Sequence, residues 1–358
     1  MQSGFWKKLA KPIIGLSPMD GVTDQPFRRL MKKHGQVDLI YTEFATVEGF
    51  CRGVKQPLDD FLYDETQRPI VAQIYGKTPD FFRQTAIAVC QLGFDGVDIN
   101  MGCPAKSVSQ GGAGAGLIKT PELAKEIILA TQKGVEEWNS GKTVRDCPDF
   151  KDKICQIIED RQKKLPKEYQ RHDREIPVSV KTRVGYDKPI TKEWIEAILE
   201  TNPAAIALHG RTLRQGYSGL ASWDEIKLAG ETIKKHNPEI VFLGNGDIKN
   251  YSEAIKKIKK YGVDGILIGR ASFGNPWVFR KDNKEDSIEN RAKLALEHAQ
   301  IFEEAYKDRE NYRFLPMRKH LAWYIKSFPN ASEIRSELVR TNNSQEVEEI
   351  LKNSGLLV

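Results

Sequence analysis

Cys103 has the clearest potential for chemistry, because it stands alone in a loop-like segment directly after a short apolar stretch. The segment reads DINMGCPA (residues 98–105), with a glycine and a proline on either side of the thiol. An unperturbed cysteine has a pKa of about 8.5, so at neutral pH it is mostly protonated and able to act as an acid. The alternative is a small buried apolar residue, which is what we expect of Cys90 inside a helical segment.

Other polar residues follow apolar stretches further along the chain. Lys181 ends an apolar run that should be buried, where an unpaired lysine is rare. A cation next to a flavin ring would stabilise the negative charge of the reduced ring. The last two stretches end in GNGD (244–247) and IGR (268–270), whose glycines let backbone N–H groups approach a phosphate, with Arg270 as an added charge. His209 alone is equally compatible with a core hydrogen bond, but with these residues it favours a phosphate-bearing cofactor.

Two further positions complete this set of strand-end residues. The amide of Gln73 is able to hydrogen-bond the edge of a cofactor ring, and Pro18 with Met19 would form an apolar floor beneath it. Each of these signals is weak alone, and their order along the chain is what makes the set specific.

The elements that must position these residues are eight short apolar stretches separated by amphipathic segments. The stretches are apolar throughout rather than alternating, which is typical of strands covered on both faces. Eight such strands with helical connections predict an α/β fold, a (β/α)8 TIM barrel, with the working residues at the C-terminal ends of the strands. A doubly wound sheet is the alternative, although no GxGxxG follows the first strand. The predicted strands are 12–19, 38–44, 69–76, 96–103, 177–185, 205–210, 240–247 and 265–270.

Three regions depart from this alternation. The link 45–68 is weakly patterned, which predicts an irregular or short helical crossover. Residues 139–176 are charged with both signs and predict an insertion with a short helix at about 152–164. We expect this insertion to be a solvated excursion; the alternative is that its basic residues contact RNA, namely Arg161, Lys163, Lys164, Lys167 and Arg171.

The third region begins at about residue 287, where the pattern becomes helical. We therefore divide the chain into a barrel (1–284, with the insertion) and a helical domain (285–358). A helical cap over the barrel edge is the simplest reading of the tail. Within 311–326, however, cations are interleaved with aromatic residues and no acid, a composition that suits a phosphate backbone and unstacked bases. The cations are Arg313, Arg318, Lys319, His320 and Lys326.

Composition sets broad limits. The 358 residues are 40% apolar, which suffices for a sizeable core, and no apolar run is long enough to span a membrane. The N-terminus lacks a secretory pattern, and five cysteines without CxxC or zinc spacing fit a reducing cytoplasm. A net charge of +6 is a mild indication of an anionic partner.

Seven motifs together resemble the tRNA-dihydrouridine synthases, flavoenzymes that reduce uridine in tRNA. In chain order they are SPMDGVTDQPFR, AQIYG, DINMGCPAKSV with GGAGAGL, VSVKTRVGYD, LHGRT, GNGDI and DGILIGRASFGNPWVF. The resemblance covers about residues 12–280, and MRKHLAWYIKSFPNASEIR (317–335) is similar to the helical domain of the bacterial branch. The insertion at 139–176 departs from the family pattern.

The resemblance implies roles for individual residues. Cys103 is implied to be the catalytic acid, and the glycine run 111–116 a mobile loop behind it. We expect Asn100 to hydrogen-bond the flavin or the edge of the target base, and Arg183 to bind the target base. Four residues of the tail are expected to bind the RNA: Arg318, Lys319, His320 and Lys326. The implied FMN site consists of Ser17, Pro18, Met19, Gln73, Lys181, His209, Asn245, Gly246, Asp247, Gly269 and Arg270.

The same resemblance implies the reaction. Hydride from the reduced flavin would add at C6 of uracil, and Cys103 would deliver a proton to C5. The target uridine must leave its stack to reach the flavin, and tRNA binding should weaken with salt. NADPH is the expected electron donor, and a monomer is the simplest expectation for the oligomeric state.

Two other functions are compatible with the sequence. A small-molecule flavin oxidoreductase of the dihydroorotate dehydrogenase type reduces or oxidises the same pyrimidine bond, but needs no cationic helical tail. A non-enzymatic RNA-binding protein with the same barrel would be expected to lack Cys103 or Lys181, and both are present.

Overall fold

Eight parallel strands close into a barrel in the computed structural model, which describes residues 3–282, 286–309, 312–326 and 328–357. The strands follow one another around the barrel in chain order, and β8 pairs with β1. The predicted (β/α)8 barrel is therefore confirmed. The strands are β1 Ile13–Leu16, β2 Leu39–Thr46, β3 Ile70–Tyr75, β4 Gly96–Met101, β5 Val178–Arg183, β6 Ala205–His209, β7 Val241–Asn245 and β8 Gly265–Ile268.

Helices surround the barrel and follow it at the C-terminus. They are α1 Gln25–Gly35, α2 Val47–Cys51, α3 Gln56–Asp60, α4 Pro79–Gln91, α5 Lys106–Ser109, α6 Pro121–Asn139, α7 Asp152–Gln162, α8 Thr191–Leu199, α9 Trp223–His236, α10 Tyr251–Tyr261, α11 Ile288–Tyr306, α12 Leu315–Tyr324, α13 Ala331–Leu338 and α14 Ser344–Asn353. Short 3-10 helices lie at Gly4–Lys8, Glu65–Gln67, Gly114–Lys119, Val144–Asp146, Lys167–Tyr169, Arg270–Ser272 and Pro276–Phe279.

The strands are buried on both faces, as their apolar composition predicts. Their register brings the residues at the strand ends side by side. Asn100 lies opposite Lys181 across β4 and β5, and Arg183 lies opposite His209 across β5 and β6. His209 in turn lies opposite Asn245 across β6 and β7. The closed register therefore gathers residues far apart in sequence at one end of the barrel.

The link 45–68 forms two short helices, α2 and α3, as expected. The insertion contains α7, close to the predicted bounds, and its buried face of Ile154, Cys155 and Ile158 joins the barrel core through α4. Arg161 donates a hydrogen bond to the carbonyl oxygen of Leu58, so this basic residue has a structural partner. The insertion is packed against the barrel rather than wholly solvated.

Helices α11 to α14 form the C-terminal helical region, and α11 packs against α1 of the barrel. Ion pairs cross this contact from Arg29 to Glu304 and from Lys33 to Glu297. The predicted division between residues 284 and 285 lies outside the described residues. None of the described helices is both long and apolar enough to cross a membrane.

Candidate active site

An open cavity of about 990 Å³ lies at the C-terminal ends of the strands. Most of the residues that the sequence assigns to the site line this cavity. Gln73 lies beneath it, and the four basic residues of the tail lie on α12 or just after it. The predicted residues that line the cavity are Ser17, Pro18, Met19, Asn100, Cys103, Lys181, Arg183, His209, Asn245, Gly246, Asp247, Gly269 and Arg270.

Cys103 lies in the loop after β4 and is 7% exposed. Its backbone N–H donates to Oδ1 of Asn100 at 2.8 Å, and its carbonyl oxygen accepts from the N–H of Ala115 at 3.2 Å. Gly114 has a φ of +54°, and a Cβ there would lie 3.1 Å from the Cβ of Cys103, so glycine lets the two loops approach without strain. Burial raises the pKa of the Cys103 thiol. The thiol is therefore protonated at neutral pH, which suits a proton donor and not a nucleophilic thiolate.

Gln73 is fully buried and does not line the cavity. Its Nε2 donates to Asp98 at 2.7 Å, and its Oε1 accepts from Nδ2 of Asn100 at 2.9 Å. In this structure Gln73 therefore contacts the residues that support the cavity, whereas we expected it to contact the cofactor itself.

Three basic side chains meet on the cavity wall formed by β5 and β6. Burial and the neighbouring Arg183 lower the pKa of Lys181 to about 8, and burial lowers the pKa of Arg183 to about 10. Burial and the same two cations hold the pKa of His209 well below its ordinary value, so its ring is neutral at pH 7. Arg183 also donates to the carbonyl oxygens of Gly102 at 2.6 Å and Thr212 at 3.3 Å. Crowded, partly desolvated cations favour an anionic occupant.

The end of the cavity at β7 and β8 is built around Asp247. Its carboxylate accepts hydrogen bonds from Arg211 at 2.7 Å, from Arg270 at 3.1 Å and from the N–H of Ala221 at 2.8 Å. Gly246 has a φ of +134°, and a Cβ there would lie 2.6 Å from the Cβ of Ala221. Asp247 thus orients two guanidinium groups beside a glycine whose backbone is open to the cavity.

Several cavity residues were not predicted from the sequence. Arg211 is 2% exposed, and its Nε and Nη1 have no hydrogen-bond partner among the described residues. It stands two positions after His209 in the motif LHGRT, which was the available signal. Phe44, Tyr217 and Phe273 add aromatic surface to the wall, and the ring of Tyr217 lies 4.8 Å from the Arg270 guanidinium.

The predicted RNA contacts of the tail divide into two groups. Lys319 is exposed and donates to the carbonyl oxygen of Gly21, in the loop that lines the cavity. Lys326 is also exposed and lies 3.4 Å from the carbonyl oxygen of Phe273, another cavity residue. Arg318 is half-buried and holds the carbonyl oxygens of Thr341 and Arg340, which makes it chiefly structural.

His320 corrects the sequence prediction. It is 1% exposed and packs against the rings of Phe27 and His298, at centroid distances of 5.4 Å and 4.8 Å. A side chain this deep in the contact between α1, α11 and α12 does not reach RNA. It is a core residue of the helical region.

Comparisons with known proteins agree along most of the chain. The family model for dihydrouridine synthase (Dus) matches residues 15–164 and 147–356. A probable tRNA-dihydrouridine synthase of Staphylococcus aureus (strain MRSA252) is 31% identical over 98% of this chain and 95% of its own length. Probable tRNA-dihydrouridine synthase 2 of Bacillus subtilis (strain 168) is 32% identical over 98% of this chain and 96% of its own length. A structure of DHODH from Eimeria tenella with ferulenol has a TM-score of 0.41 at 17% identity, over 65% of this chain and 60% of that one.

Proposed function

This chain belongs to the dihydrouridine synthase family, and we propose that it reduces the C5–C6 double bond of uridines in tRNA to give 5,6-dihydrouridine. The observation that carries this proposal is a protonated thiol, Cys103, in one cavity with a cluster of buried cations. The thiol supplies a proton donor and the cations supply a surface for anions. The family makes tRNA the substrate in preference to a small pyrimidine acid.

The cofactor that best fits this cavity is FMN. Lys181, Arg183 and Arg211 crowd one wall, and an anionic, phosphate-bearing ligand would relieve their mutual repulsion. When bound, a reduced flavin supplies the hydride that adds at C6 of uracil, and NADPH is the proposed source of those electrons. The residues proposed to hold FMN are Ser17, Pro18, Met19, Lys181, His209, Asn245, Gly246, Gly269 and Arg270, with Gln73 and Asp247 supporting them.

Cys103 is the proposed acid that protonates C5. Because burial raises its pKa, the side chain keeps its proton until the substrate needs it. Asn100 and Arg183 lie on the same wall and are the proposed contacts of the uracil edge. Their amide and guanidinium donors suit the carbonyl oxygens of the base.

The tRNA must present its uridine unstacked, because the thiol lies inside a cavity that a stacked base does not enter. Lys319 and Lys326 stand where α12 meets the cavity rim and are the proposed backbone contacts. The helical region would thus be the tRNA-binding domain. We further propose that the enzyme is monomeric and cytoplasmic.

The experiment that tests this function is anaerobic reoxidation of the NADPH-reduced protein. Mixing with unmodified tRNA transcript should restore the oxidised flavin absorbance and form dihydrouridine, detected by mass spectrometry. Cys103→Ala should slow this step by about 10²–10⁴-fold, the usual contribution of a general acid. Protein purified without flavin, or reoxidation by free pyrimidines such as orotate and not by tRNA, would contradict the proposal.

A further inference from the structure

A buried carboxyl group, Asp98, lies beneath the cavity without lining it. It is fully buried on β4, between Gln73 of β3 and Ser179 of β5 in the strand register. One oxygen accepts a hydrogen bond from Oγ of Ser179 at 2.6 Å, and the other accepts from Nε2 of Gln73 at 2.7 Å. Burying a carboxyl group costs free energy of folding unless hydrogen bonds compensate, so its position under the cavity suggests a function.

The two oxygens of a carboxylate only accept hydrogen bonds, whereas an amide presents a donor on one side and an acceptor on the other. Asp98 therefore requires the NH2 group of Gln73 to face it, which turns Oε1 of Gln73 towards Asn100. That oxygen accepts from Nδ2 of Asn100 at 2.9 Å. The carboxylate of Asp98 therefore sets the orientation of the Gln73 amide and, through it, that of the Asn100 amide.

The chain of hydrogen bonds ends at the loop that carries the thiol. With its NH2 group directed at Gln73, Asn100 presents Oδ1 to the backbone N–H groups of Gly102 at 3.0 Å and Cys103 at 2.8 Å. A reversed Asn100 amide would place NH2 against these two N–H donors, and the loop would lose both bonds.

The negative charge of Asp98 also affects the protonation of Lys181 on the cavity wall. Burial raises the pKa of Asp98 to about 6, so at neutral pH it is mostly a carboxylate. Its attraction opposes the burial that lowers the pKa of Lys181. The carboxylate thus supports both the loop of the thiol and the protonated form of the nearest cavity lysine.

We propose that Asp98 is a positioning residue for the reaction: its carboxylate fixes the amides of Gln73 and Asn100 and, through them, the loop that directs the Cys103 thiol into the cavity. This inference rests on the proposed function, in which Cys103 donates the proton. Asp98 itself contacts neither substrate nor cofactor. Its hydrogen bonds therefore act on the step that uses the thiol, and only its charge, through Lys181, acts on reduction of the flavin.

The test compares three variants of the flavin-loaded protein. Asp98→Leu removes the acceptor, Asp98→Asn keeps an oxygen for Gln73, and Ser179→Ala removes a hydrogen bond from the far side of the same carboxylate. We expect Asp98→Leu to slow anaerobic reoxidation by tRNA at least about 100-fold, and to slow reduction by NADPH less than about tenfold, because the second step loses only the charge beside Lys181. Asp98→Asn should be reoxidised by tRNA at least about tenfold faster than Asp98→Leu. Ser179→Ala should be reoxidised within about threefold of the rate of the original protein.

A second readout needs no turnover. Alkylation of Cys103 by iodoacetamide in the resting protein, followed by peptide mass spectrometry, reports whether the loop still holds the thiol. We expect about tenfold faster labelling in Asp98→Leu and little change in Asp98→Asn, because only the former loses the acceptor. If Asp98→Asn reacts like Asp98→Leu, or if both half-reactions fall equally in Asp98→Asn, Asp98 does not act through the amides. An original protein that tRNA fails to reoxidise, with this labelling pattern intact, would refute the proposed function and leave the positioning role standing.

Discussion

Arg183 donates a hydrogen bond from its Nε to the carbonyl oxygen of Gly102 at 2.6 Å, so strand β5 holds the loop that carries Cys103. The same guanidinium reaches the carbonyl oxygen of Thr212 in the loop after β6. One planar group therefore joins the end of β5 to the loops after β4 and β6, a geometry that a lysine ammonium does not reproduce.

We expect Arg183→Lys to slow reoxidation by tRNA about tenfold or more, because the charge remains while the fork that holds the loop is lost. Rapid-mixing absorbance measurements of the reduced protein with tRNA give this rate. Arg214→Lys is the matched control, since Arg214 is exposed in the next loop and pairs only with Asp187 among the described partners. Equal rates for the two variants would show that the Arg183 fork is dispensable.

The raised pKa of Cys103 predicts the pH dependence of the same step. A general acid works in its protonated form, and burial keeps this thiol protonated beyond the ordinary range of cysteine. Reoxidation by tRNA should therefore fall on the alkaline side, and on the acid side it should fall only as Asp98, whose pKa is about 6, becomes protonated. A rate that keeps rising with pH between about 7 and 9 would instead indicate a thiolate mechanism.

The strand ends were predictable, and the direction of individual side chains was not. Parallel strands buried on both faces appear as continuous apolar runs, so each predicted strand overlaps an observed one. Gln73 lies on such a strand. Whether its side chain enters the cavity or contacts Asp98 and Asn100 beneath it depends on how the barrel closes. The order of the site residues along the chain was thus predictable, whereas the hydrogen bonds from Asp98 through Gln73 to Asn100 depend on the register between β3 and β4.

The spacing of apolar residues around His320 already places it in the core. Met317, His320, Leu321 and Tyr324 follow the i, i+3, i+4, i+7 spacing of one helix face, and all four are buried. The local richness in cations obscured this period. Lys319 lies off that face and is exposed, which leaves it available for RNA.

Lys319→Ala and Arg318→Ala should therefore have different effects. Removing the exposed Lys319 should weaken tRNA binding and reduce the slope of log affinity against log salt by about 1. Removing Arg318 should lower the thermal stability of the helical region, because it holds the carbonyl oxygens of Arg340 and Thr341. Filter binding at several salt concentrations and thermal unfolding separate the two. An unchanged salt slope in Lys319→Ala would exclude its backbone contact.

Gly246→Ala should reduce flavin content without unfolding the barrel. The added Cβ would meet Ala221 at 2.6 Å at a φ of +134°, which forces the loop between β7 and α10 to move. The ratio of flavin to protein absorbance after purification measures the loss. Gly262→Ala is the control, because it also has a positive φ of +67° but no atom within 4 Å of the added Cβ. The same flavin loss in both variants would point to general destabilisation.

The contact between α11 and α12 should make stability fall in acid. Tyr324 hydrogen-bonds Nδ1 of His298 at 3.0 Å, and burial lowers the pKa of His298 to about 3. The unfolded chain binds this proton near the ordinary pKa of 6.5, so the folded form loses stability as the pH falls below about 6.5. Burial also holds the pKa of the neighbouring His320 well below its ordinary value.

Chemical denaturation between pH 8 and 4, at fixed salt, tests this pH dependence. We expect His298→Gln to flatten the acid limb, because it removes one of the two groups that must become charged. Tyr324→Phe should cost about 1–3 kcal/mol at neutral pH, since it leaves a buried ring nitrogen without its partner. His34→Gln is the comparison, because His34 is a partly exposed histidine of α1 that pairs with Glu297 of α11. If the acid limb is equally steep in His298→Gln and the original protein, the buried histidines do not govern the acid sensitivity.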